Sequence, residues 1–403
     1  MVSADDMYSV GEQFSGGAYG HIHEGRIPNA ILKQHCATRS HMIHVAVKKS
    51  HTAHWIDHLM LRHEACALLL LSGHDGFPQV YAWGRSQWFE YLYMDRLGPC
   101  LSQALVKFGG YYPYNLRSGL LLMSQMLDIL KYLHSRNIIH RDVKPDNLLF
   151  GHPSGKRAEK LHLIDFGLAI YYRDPVSKLH RPLQEKQKMV GTMHYASSNL
   201  LQGISSSRRD DLESLAYTFL WILRGKLPWD GLGNSSVKKL KATMTGSVLF
   251  GGLPSELAEF YDYVRGLEYN EDPDYDRWHG IFHNLLDPYT GAEEPFNFAS
   301  SRNFEDVDDH LIDGPADWPK VSNSNPVEDN DEEDCGNCQY RYHTGFMPNS
   351  SWPNPVGVKE EDLFGDEDQM LKGRVDIVST PPSILEGGYV DVVYPEYEEM
   401  VLI

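Results

Sequence analysis

The sequence predicts an α+β fold with a small β-rich lobe, a larger helical lobe and a disordered tail. Three observations support this division. Short runs typical of strands dominate residues 8–94, apolar residues at helical spacing dominate from about residue 98 to residue 290, and periodicity disappears from residue 291. We therefore expect one two-lobed domain over residues 8–290 and an acidic, disordered tail over residues 291–403.

The small lobe is predicted from runs such as HVAVKKS and FEYLYMD, which are rich in β-branched and aromatic residues. One stretch, LMLRHEACALLLLS, interrupts these runs with the apolar spacing of a helix. We expect a sheet with a single helix.

Two apolar helices predict the larger lobe. In LLLMSQMLDILKYLHSR, Leu120, Leu127, Leu130 and His134 recur at helical spacing, and DLESLAYTFLWILRG is a second strongly apolar segment. Both helices are long enough to contribute to one hydrophobic core.

The tail carries most of the negative charge. The formal net charge is -18, and residues 291–403 contain 26 acidic and 6 basic residues, which leaves 29 acidic and 31 basic residues before them. This balance argues against a protein built to coat nucleic acid. The acidic runs are typical of a solvated tail.

The remaining composition excludes several other classes. The N-terminus MVSADDMYSV has no basic start and no apolar run, so we expect no signal peptide. The apolar window LAYTFLWIL is far shorter than the roughly 20 residues of a membrane span. Five scattered cysteines fit a reducing compartment. We expect a monomeric protein, cytoplasmic and/or nuclear, without nucleic-acid partners.

Two motifs carry the chemistry. IIHRDVKPDNLLF presents Asp142, Lys144 and Asn147 at fixed offsets in a loop bordered by apolar residues, and Asp165 follows in LHLIDFGLAI after a strand-like run. Phosphoryl transfer to a hydroxyl needs an acceptor for its proton, carboxylate and amide oxygens for Mg²⁺, and a cation for the phosphates. Asp142 can supply the first, Asn147 and Asp165 the second, and Lys144 part of the third. Together the motifs resemble the protein kinase family.

This resemblance implies the bilobal protein kinase fold, with ATP and Mg²⁺ as cofactors and a lysine–glutamate pair upstream. The run VAVK ends in Lys48, and Glu64 follows on the predicted helix. The two side chains can hold the α- and β-phosphates. The resemblance also gives Asp211 a role in bracing the catalytic loop.

A glycine-containing loop and a hinge complete the expected nucleotide site. FSGGAYGHI has serine where the first glycine of the kinase loop is expected, so nucleotide affinity is expected to be weakened if that position requires a positive φ. The cofactor-binding residues that the resemblance implies are Ser15, Gly17, Gly20, Ile22, Lys48, Glu64 and, at the hinge, Met94, Asp95 and Leu97.

The later motifs are similar to those of the casein kinase 1 family. VGTMHYASSNLLQG lacks Ala-Pro-Glu, and Ser197, Ser198 and Asn199 stand where that family has a Ser-Ile-Asn-like triplet. GPCL, YYRDP, SRRDDLES, LRGKLPWDGL and PSELAEFYDYVRGLEYNEDPDY are also similar to it. The resemblance covers roughly residues 8–288, and the tail lies outside it.

The resemblance implies serine/threonine phosphorylation of acidic or previously phosphorylated protein substrates. A phosphate upstream of the acceptor hydroxyl needs arginine or lysine partners. His194 stands where the family carries arginine, and Gln187 stands where a lysine is expected. The candidates for binding the substrate anion are therefore Lys186, Lys188, His194 and Lys238, and Lys239 and Lys241 can complete the basic pocket.

Other interpretations remain open. A pseudokinase-like, nucleotide-binding scaffold that acts through its acidic tail is favoured by Ser15 and opposed by the complete catalytic loop. His54 and His58 have helical i,i+4 spacing, and Cys335 and Cys338 form a C-x-x-C pair, but neither has the further ligands of a metal site.

Overall fold

The computed structural model describes residues 9–17, 20–28, 42–51, 60–85, 89–106, 114–174 and 176–286. These residues form two compact units. The smaller unit contains the described residues up to Ser72 together with Pro78–Arg96, and the larger unit contains Gly73–Phe77 and the described residues from Leu97 onward. The predicted tail and the predicted ends of the domain lie outside the described residues.

The smaller unit is a sheet with one helix in its described part, which confirms the predicted β-rich lobe. The sheet is antiparallel with the strand order β1-β2-β3-β5-β4. Its elements are β1 (Ser9–Gly17), β2 (Gly20–Pro28), β3 (Met42–His51), α1 (Met60–Leu70), β4 (Val80–Arg85) and β5 (Phe89–Asp95). The runs HVAVKKS and FEYLYMD form β3 and β5, and α1 packs on β4 and β5.

The pairing register decides which side chains share a face of this sheet. One face carries the buried cluster of Ile27, Val45, Val47, Ala82, Tyr91 and Tyr93. Side chains alternate between faces along a strand. Lys48 pairs with Ile22 of β2 and with Leu92 of β5, so these three side chains share the opposite face.

The larger unit is mainly helical, as predicted. Its helices are α2 (Leu101–Val106), α3 (Leu116–Ser135), α4 (Ser198–Leu201), α5 (Arg208–Arg224), α6 (Asn234–Thr243), α7 (Gly246–Leu249), α8 (Ser255–Gly266) and α9 (Tyr275–Leu286). Two short antiparallel pairs accompany them, β6 (Ile138–Ile139) with β9 (Ile170–Tyr171) and β7 (Leu148–Phe150) with β8 (Leu161–Leu163).

Helices α3 and α5 form the centre of this unit. The four residues that predict α3 are all buried, and α3 packs on both α5 and α9. In α5 every residue except Arg209 is buried. The helix starts with a capping box of Ser207 and Asp210 and ends at Gly225, whose φ of 68° is typical of a helix C-terminus. Because α5 also contains buried charges, each of these needs a partner in the core.

A short segment that precedes β4 in the chain belongs to the larger unit. The Gly76 carbonyl accepts a hydrogen bond of 2.9 Å from the Leu163 N–H, and the Phe77 ring lies 5.8 Å from Phe166. His74 stacks on Tyr132 of α3 with a centroid distance of 4.6 Å. Residues 73–77 are therefore part of the core that supports the Asp165 region.

None of the helices in the described part of the chain has the length and apolarity needed to cross a bilayer.

Candidate active site

A buried ion pair joins the sheet of the smaller unit to α1. Lys48 Nζ of β3 lies 2.7 Å from Glu64 Oε2 of α1, and both side chains are buried. The structure thus brings together the two residues that the sequence pairs. Removing either one would leave the other charge buried, so the pair fixes α1 against β3.

A second acidic residue holds the beginning of α1. Glu90 of β5 is buried, and its carboxylate accepts hydrogen bonds of 3.3 Å from the Leu61 and Arg62 N–H groups. The Trp83 indole N–H of β4 donates to the same carboxylate at 3.2 Å. The first N–H groups of a helix lack partners within the helix, and a carboxylate there is favourable. Glu90, which was not predicted from the sequence, therefore orients the helical turn that carries Glu64.

The predicted phosphate loop includes the end of β1 and the start of β2. Ser15 pairs with Ile22 and Gly17 pairs with Gly20, and residues 18–19 lie outside the described residues. Gly20 has a φ of 127°, and a Cβ there would lie 2.5 Å from the Lys49 carbonyl oxygen. Ser15 lies in a strand and has no positive φ. Serine therefore adds no backbone strain at this position.

The predicted hinge residues lie at the end of β5 and just after it. Met94 is buried and pairs with Ala46. The Asp95 carboxylate accepts hydrogen bonds from the Gln79 N–H at 3.0 Å and from the Tyr81 hydroxyl at 2.5 Å. Leu97 is half-buried and begins the second part of the larger unit. Adenine binding by Met94, Asp95 and Leu97 stays a prediction.

The catalytic loop places three predicted residues in direct contact. Lys144 Nζ donates to Asp142 Oδ2 at 2.7 Å and to the Thr192 hydroxyl at 2.7 Å. The Asn147 amide group donates to the Asp142 carbonyl oxygen at 2.9 Å and approaches Asp142 Oδ2 at 3.3 Å. Asp142 and Asn147 are buried, whereas Lys144 is partly exposed. The Asn147 nitrogen is used in these bonds, so its amide oxygen is the atom that can face a cation.

Asp211 of α5 braces this loop, as expected. Its carboxylate accepts hydrogen bonds of 2.8 Å from the His140 and Arg141 N–H groups and one of 2.9 Å from His134 Nε2. Burial alone would raise the pKa of Asp211, but these donors hold it below its ordinary value. Burial lowers the pKa of His134, whose other ring nitrogen meets the Tyr275 hydroxyl at 2.5 Å. A neutral histidine therefore supports an ionised Asp211.

Arg141 also has a structural role in this arrangement. Its Nε donates to the Leu168 carbonyl oxygen at 2.6 Å, and its backbone has a φ of 70°. The guanidinium therefore ties the catalytic loop to the segment that follows Asp165.

Asp165 lies in a strained conformation that its neighbours fix. Its φ of 67° and ψ of 71° are left-handed. Phe166 is fully buried, and its ring lies 4.9 Å from His140 and 5.8 Å from Phe77. His140 Nε2 donates to the Ile164 carbonyl oxygen at 3.0 Å. The residues on both sides of Asp165 are thus held, which is what keeps a strained residue in place.

The chain between β9 and α4, which we call the activation segment, returns to the Asp142 carboxylate at Gly191 and Thr192. The Thr192 N–H donates to Asp142 Oδ1 at 2.8 Å. Gly191 has a φ of 81°, and a Cβ there would lie 2.4 Å from the Arg141 carbonyl oxygen and 3.1 Å from Asp142 Oδ1. Only glycine permits this close approach.

Two buried carboxylates of α5 hold the triplet that replaces Ala-Pro-Glu. Ser197 Oγ donates to Asp210 Oδ1 at 2.5 Å, and the Ser198 N–H donates to Glu213 Oε1 at 2.8 Å. The Tyr217 hydroxyl also donates to Glu213, at 2.6 Å. Burial raises the pKa of Asp210 to about 6. The sequence predicted the triplet but gave no role to Asp210 and Glu213, whose signal is their position as acidic residues inside an otherwise apolar helix.

The predicted anion-binding residues of the larger unit are mostly exposed. Lys186, Lys188 and Lys238 lie at the surface, and the His194 side chain is 43% exposed. His194 Nε2 lies 3.9 Å from Asp230 Oδ1. A carboxylate thus lies near the residue that replaces the family arginine.

The expectation for Lys241 is wrong. Its side chain is fully buried, and Nζ donates to the carbonyl oxygens of Met193, His194 and Ala196 at 2.9, 2.9 and 2.7 Å. All three N–H bonds of the ammonium are used inside the protein. Lys241 therefore cannot complete a basic surface pocket.

The metal alternatives lie largely outside the described residues, which omit His54, His58, Cys335 and Cys338. Within the described ranges, no group of three or more His, Cys, Asp or Glu side chains is arranged to hold a metal ion.

Comparisons with known proteins agree with this geometry. The family described as "Protein kinase domain" matches residues 29–258, more than half of the chain. Casein kinase I homolog 2 of Schizosaccharomyces pombe is 36% identical over 286 residues, which are 69% of this chain and 62% of that protein. Casein kinase I homolog 1 of the same organism is 33% identical over 80% of this chain and 68% of its own length. Casein kinase I homolog RAG8 of Kluyveromyces lactis is 34% identical over 70% of this chain and 51% of its own length.

Proposed function

Because the chain belongs to the casein kinase I family of protein kinases, we propose that it transfers the γ-phosphoryl group of ATP to serine or threonine hydroxyls of proteins. The observation that carries the proposal is the buried Asp142 carboxylate, which Lys144, Asn147 and Thr192 surround. The chain spans 62% of the length of one relative and 68% of another, so the proposal concerns the shared kinase domain.

The donor set of the larger unit fits Mg²⁺ and a nucleotide. Asn147 offers an amide oxygen and Asp165 a carboxylate, and Mg²⁺ prefers such oxygen ligands. ATP supplies the transferred phosphoryl group, and Mg²⁺ neutralises charge that develops on the phosphates. We assign the metal to Asn147 and Asp165.

Asp142 receives the proton of the substrate hydroxyl. A carboxylate has room for about four hydrogen-bond donors, and three contact Asp142 through its two oxygens. One acceptor position therefore suits a serine or threonine hydroxyl. The Thr192 N–H and Asn147 hold the carboxylate in one orientation, so the base need not reorganise during the reaction.

Lys144 stabilises the transferred group. Its ammonium already lies 2.7 Å from Asp142 Oδ2 and 2.7 Å from the Thr192 hydroxyl, and its side chain is 17% exposed. A partly exposed cation beside the base can bind a phosphoryl oxygen without a large movement.

In the smaller unit, Lys48 binds nucleotide phosphates and Glu64 fixes its ammonium. The apolar neighbours Ile22 and Leu92 share its face of the sheet. Interactions with phosphate are stronger beside apolar surface than in water.

The proposed substrates are proteins with acidic or phosphorylated residues near the acceptor hydroxyl. The exposed cations Lys186, Lys188 and Lys238 support this class. Asp230 beside His194 opposes tight binding of a phosphate at that position. We therefore expect His194→Arg to raise kcat/KM for a phosphoserine peptide more than for its unphosphorylated form. An equal gain on both peptides would show that His194 does not face the bound phosphate.

The observation that favoured a pseudokinase-like, nucleotide-binding scaffold no longer applies. The scaffold was favoured by Ser15, and this residue lies unstrained in β1 opposite Ile22.

Transfer of label from γ-³²P-ATP to an acidic protein tests the proposed activity. The unchanged chain and the Asp165→Ala variant should be purified in parallel and compared with dephosphorylated casein as substrate. We expect incorporation by the unchanged chain and a loss of at least 100-fold in the variant. Equal incorporation by both proteins would contradict the proposal, since it would come from a contaminant.

A further inference from the structure

Lys241 lies in a closed cage next to the activation segment. Its ammonium on α6 binds the carbonyl oxygens of Met193, His194 and Ala196, which curl around it in one turn of chain. An ammonium has three N–H donors and a neutral amine has two. Three carbonyl oxygens within 2.9 Å of Nζ match the three donors of the charged form.

Aromatic rings and a carboxylate compensate for the burial of this charge. Nζ lies 4.4 Å from the centroid of the Tyr217 ring and 4.6 Å from that of the Trp229 ring. Cation–π contacts of this kind strengthen when water is excluded. Burial lowers the pKa of Lys241, and the Glu213 carboxylate opposes this shift. The cage thus has the partners that a buried ammonium needs.

The residue that precedes this turn, Thr192, contacts the catalytic carboxylate of Asp142. The Thr192 carbonyl oxygen accepts hydrogen bonds of 2.9 Å from the Tyr195 and Ala196 N–H groups. Thr192 itself donates its N–H to Asp142 and accepts a hydrogen bond from Lys144. Thr192 is therefore held to the base by contacts of its own, and the turn of residues 193–196 follows directly after it.

A second donor fixes the turn from the same side as Lys241. The Trp229 indole N–H donates to the His194 carbonyl oxygen at 2.9 Å. The His194 carbonyl oxygen thus has two donors from the protein core. The carbonyl groups of Met193, His194 and Ala196 are thus held on the side of the core, while residues 193–195 remain partly exposed.

We propose that Lys241 is a positioning residue for the protein substrate, because it fixes the turn of residues 193–196 along which the substrate chain must pass. The proposal rests on the kinase activity proposed above. A peptide whose hydroxyl reaches Asp142 has to lie beside Thr192 and the turn that follows it. ATP has no such requirement, so Lys241 acts on peptide binding and not on nucleotide binding.

Lys241→Met tests this role, since methionine retains an unbranched apolar side chain that ends near the position of the lysine Cε and removes the ammonium with its donors. Steady-state kinetics with a serine peptide rich in aspartate give KM for the peptide, and hydrolysis of ATP without peptide gives a rate that does not depend on the turn. We expect KM for the peptide to rise at least tenfold while ATP hydrolysis changes less than twofold. Lys156→Met, which removes an exposed lysine from a surface turn, is the matched control and should behave as the unchanged chain.

Trp229→Phe keeps the proposal testable if Lys241→Met does not fold. It keeps an aromatic ring near Lys241 and removes the N–H that donates to the His194 carbonyl oxygen, together with part of the buried ring. We expect a two- to fivefold rise in KM for the peptide and unchanged ATP hydrolysis.

The outcomes separate the two proposals. If folded Lys241→Met and Trp229→Phe variants both bind the peptide normally, the positioning role is wrong. The same holds if peptide phosphorylation and ATP hydrolysis fall together, because Lys241 would then support only the fold. If the unchanged chain neither binds ATP nor labels protein, the kinase activity itself is wrong.

Discussion

Lys48→Met should affect stability as well as turnover, because Lys48 is one half of a buried pair. The two charges are 2.7 Å apart, and the Lys48 and Glu64 side chains are 8% and 2% exposed. At an effective dielectric constant of about 20, charges at this distance attract by roughly 6 kcal/mol, and the desolvation of both ions offsets much of this. Removing one partner from a buried pair costs about 3–5 kcal/mol, because the other charge stays buried without compensation.

The comparison of single and double variants tests this reasoning. We expect Lys48→Met to lower the free energy of unfolding by about 3 kcal/mol or more. Adding Glu64→Gln should restore most of this loss, since neither member of the pair then carries a charge. Both variants should lose at least 100-fold in kcat, because neither has the cation for the nucleotide phosphates.

Urea unfolding and steady-state kinetics with γ-³²P-ATP measure the two effects on the same preparations. If Lys48→Met is as stable as the unchanged chain, Glu64 is not held in the buried state described here. If the double variant is less stable than Lys48→Met, the destabilisation has a cause other than the loss of the ammonium beside the Glu64 carboxylate.

Three further predictions concern single carboxylates. Asp142→Asn should lower kcat at least 100-fold with little change in the urea midpoint, since asparagine can still accept the Thr192 N–H; a kcat within tenfold would reject the role of base. Burial raises the pKa of Asp210 from 3.8 to about 6, so the folded protein binds the Asp210 proton more tightly than the unfolded chain does. This proton stabilises the fold by about 3 kcal/mol below about pH 4, and the stabilisation is lost as the pH rises through about 6. Unfolding free energies from pH 4 to 7 should therefore decline less in Asp210→Asn, and parallel curves would contradict this. Glu90→Ala should raise KM for ATP several-fold in the unchanged background and hardly at all in Glu64→Gln, because Glu90 acts through Glu64; equal effects in both backgrounds would argue against this.

The sequence predicted the elements whose residue pattern is periodic or whose motif is strict. The helical spacing of Leu120, Leu127, Leu130 and His134 corresponds to buried positions of α3. The motif around Asp142 predicted a set of contacting side chains because the loop is short and anchored by apolar residues at both ends. Such features depend on local sequence alone.

Features that depend on contacts across the fold were missed or misjudged. Lysine on a helix is usually solvated, and Lys238 and Lys239 of α6 are indeed exposed. Lys241, however, lies four residues after the buried Val237 and shares its helical face. That spacing was a usable signal for burial, but the cage itself is built by α5, Trp229 and the activation segment. Glu90 gave no signal, because its partners, two main-chain N–H groups of α1 and the Trp83 indole N–H, are brought to it only by the fold.

The path of the chain at residues 73–77 affects how the protein can be divided for experiments. The chain enters the larger unit for these five residues, returns to the smaller unit for β4 and β5, and enters the larger unit again at Leu97. A fragment that begins at Leu97 would lack Gly76, which accepts the Leu163 N–H, and Phe77, which packs on Phe166. The larger unit is thus assembled from two separate pieces of sequence. Expressing it as an intact module requires a circular permutation or a grafted segment rather than a single truncation.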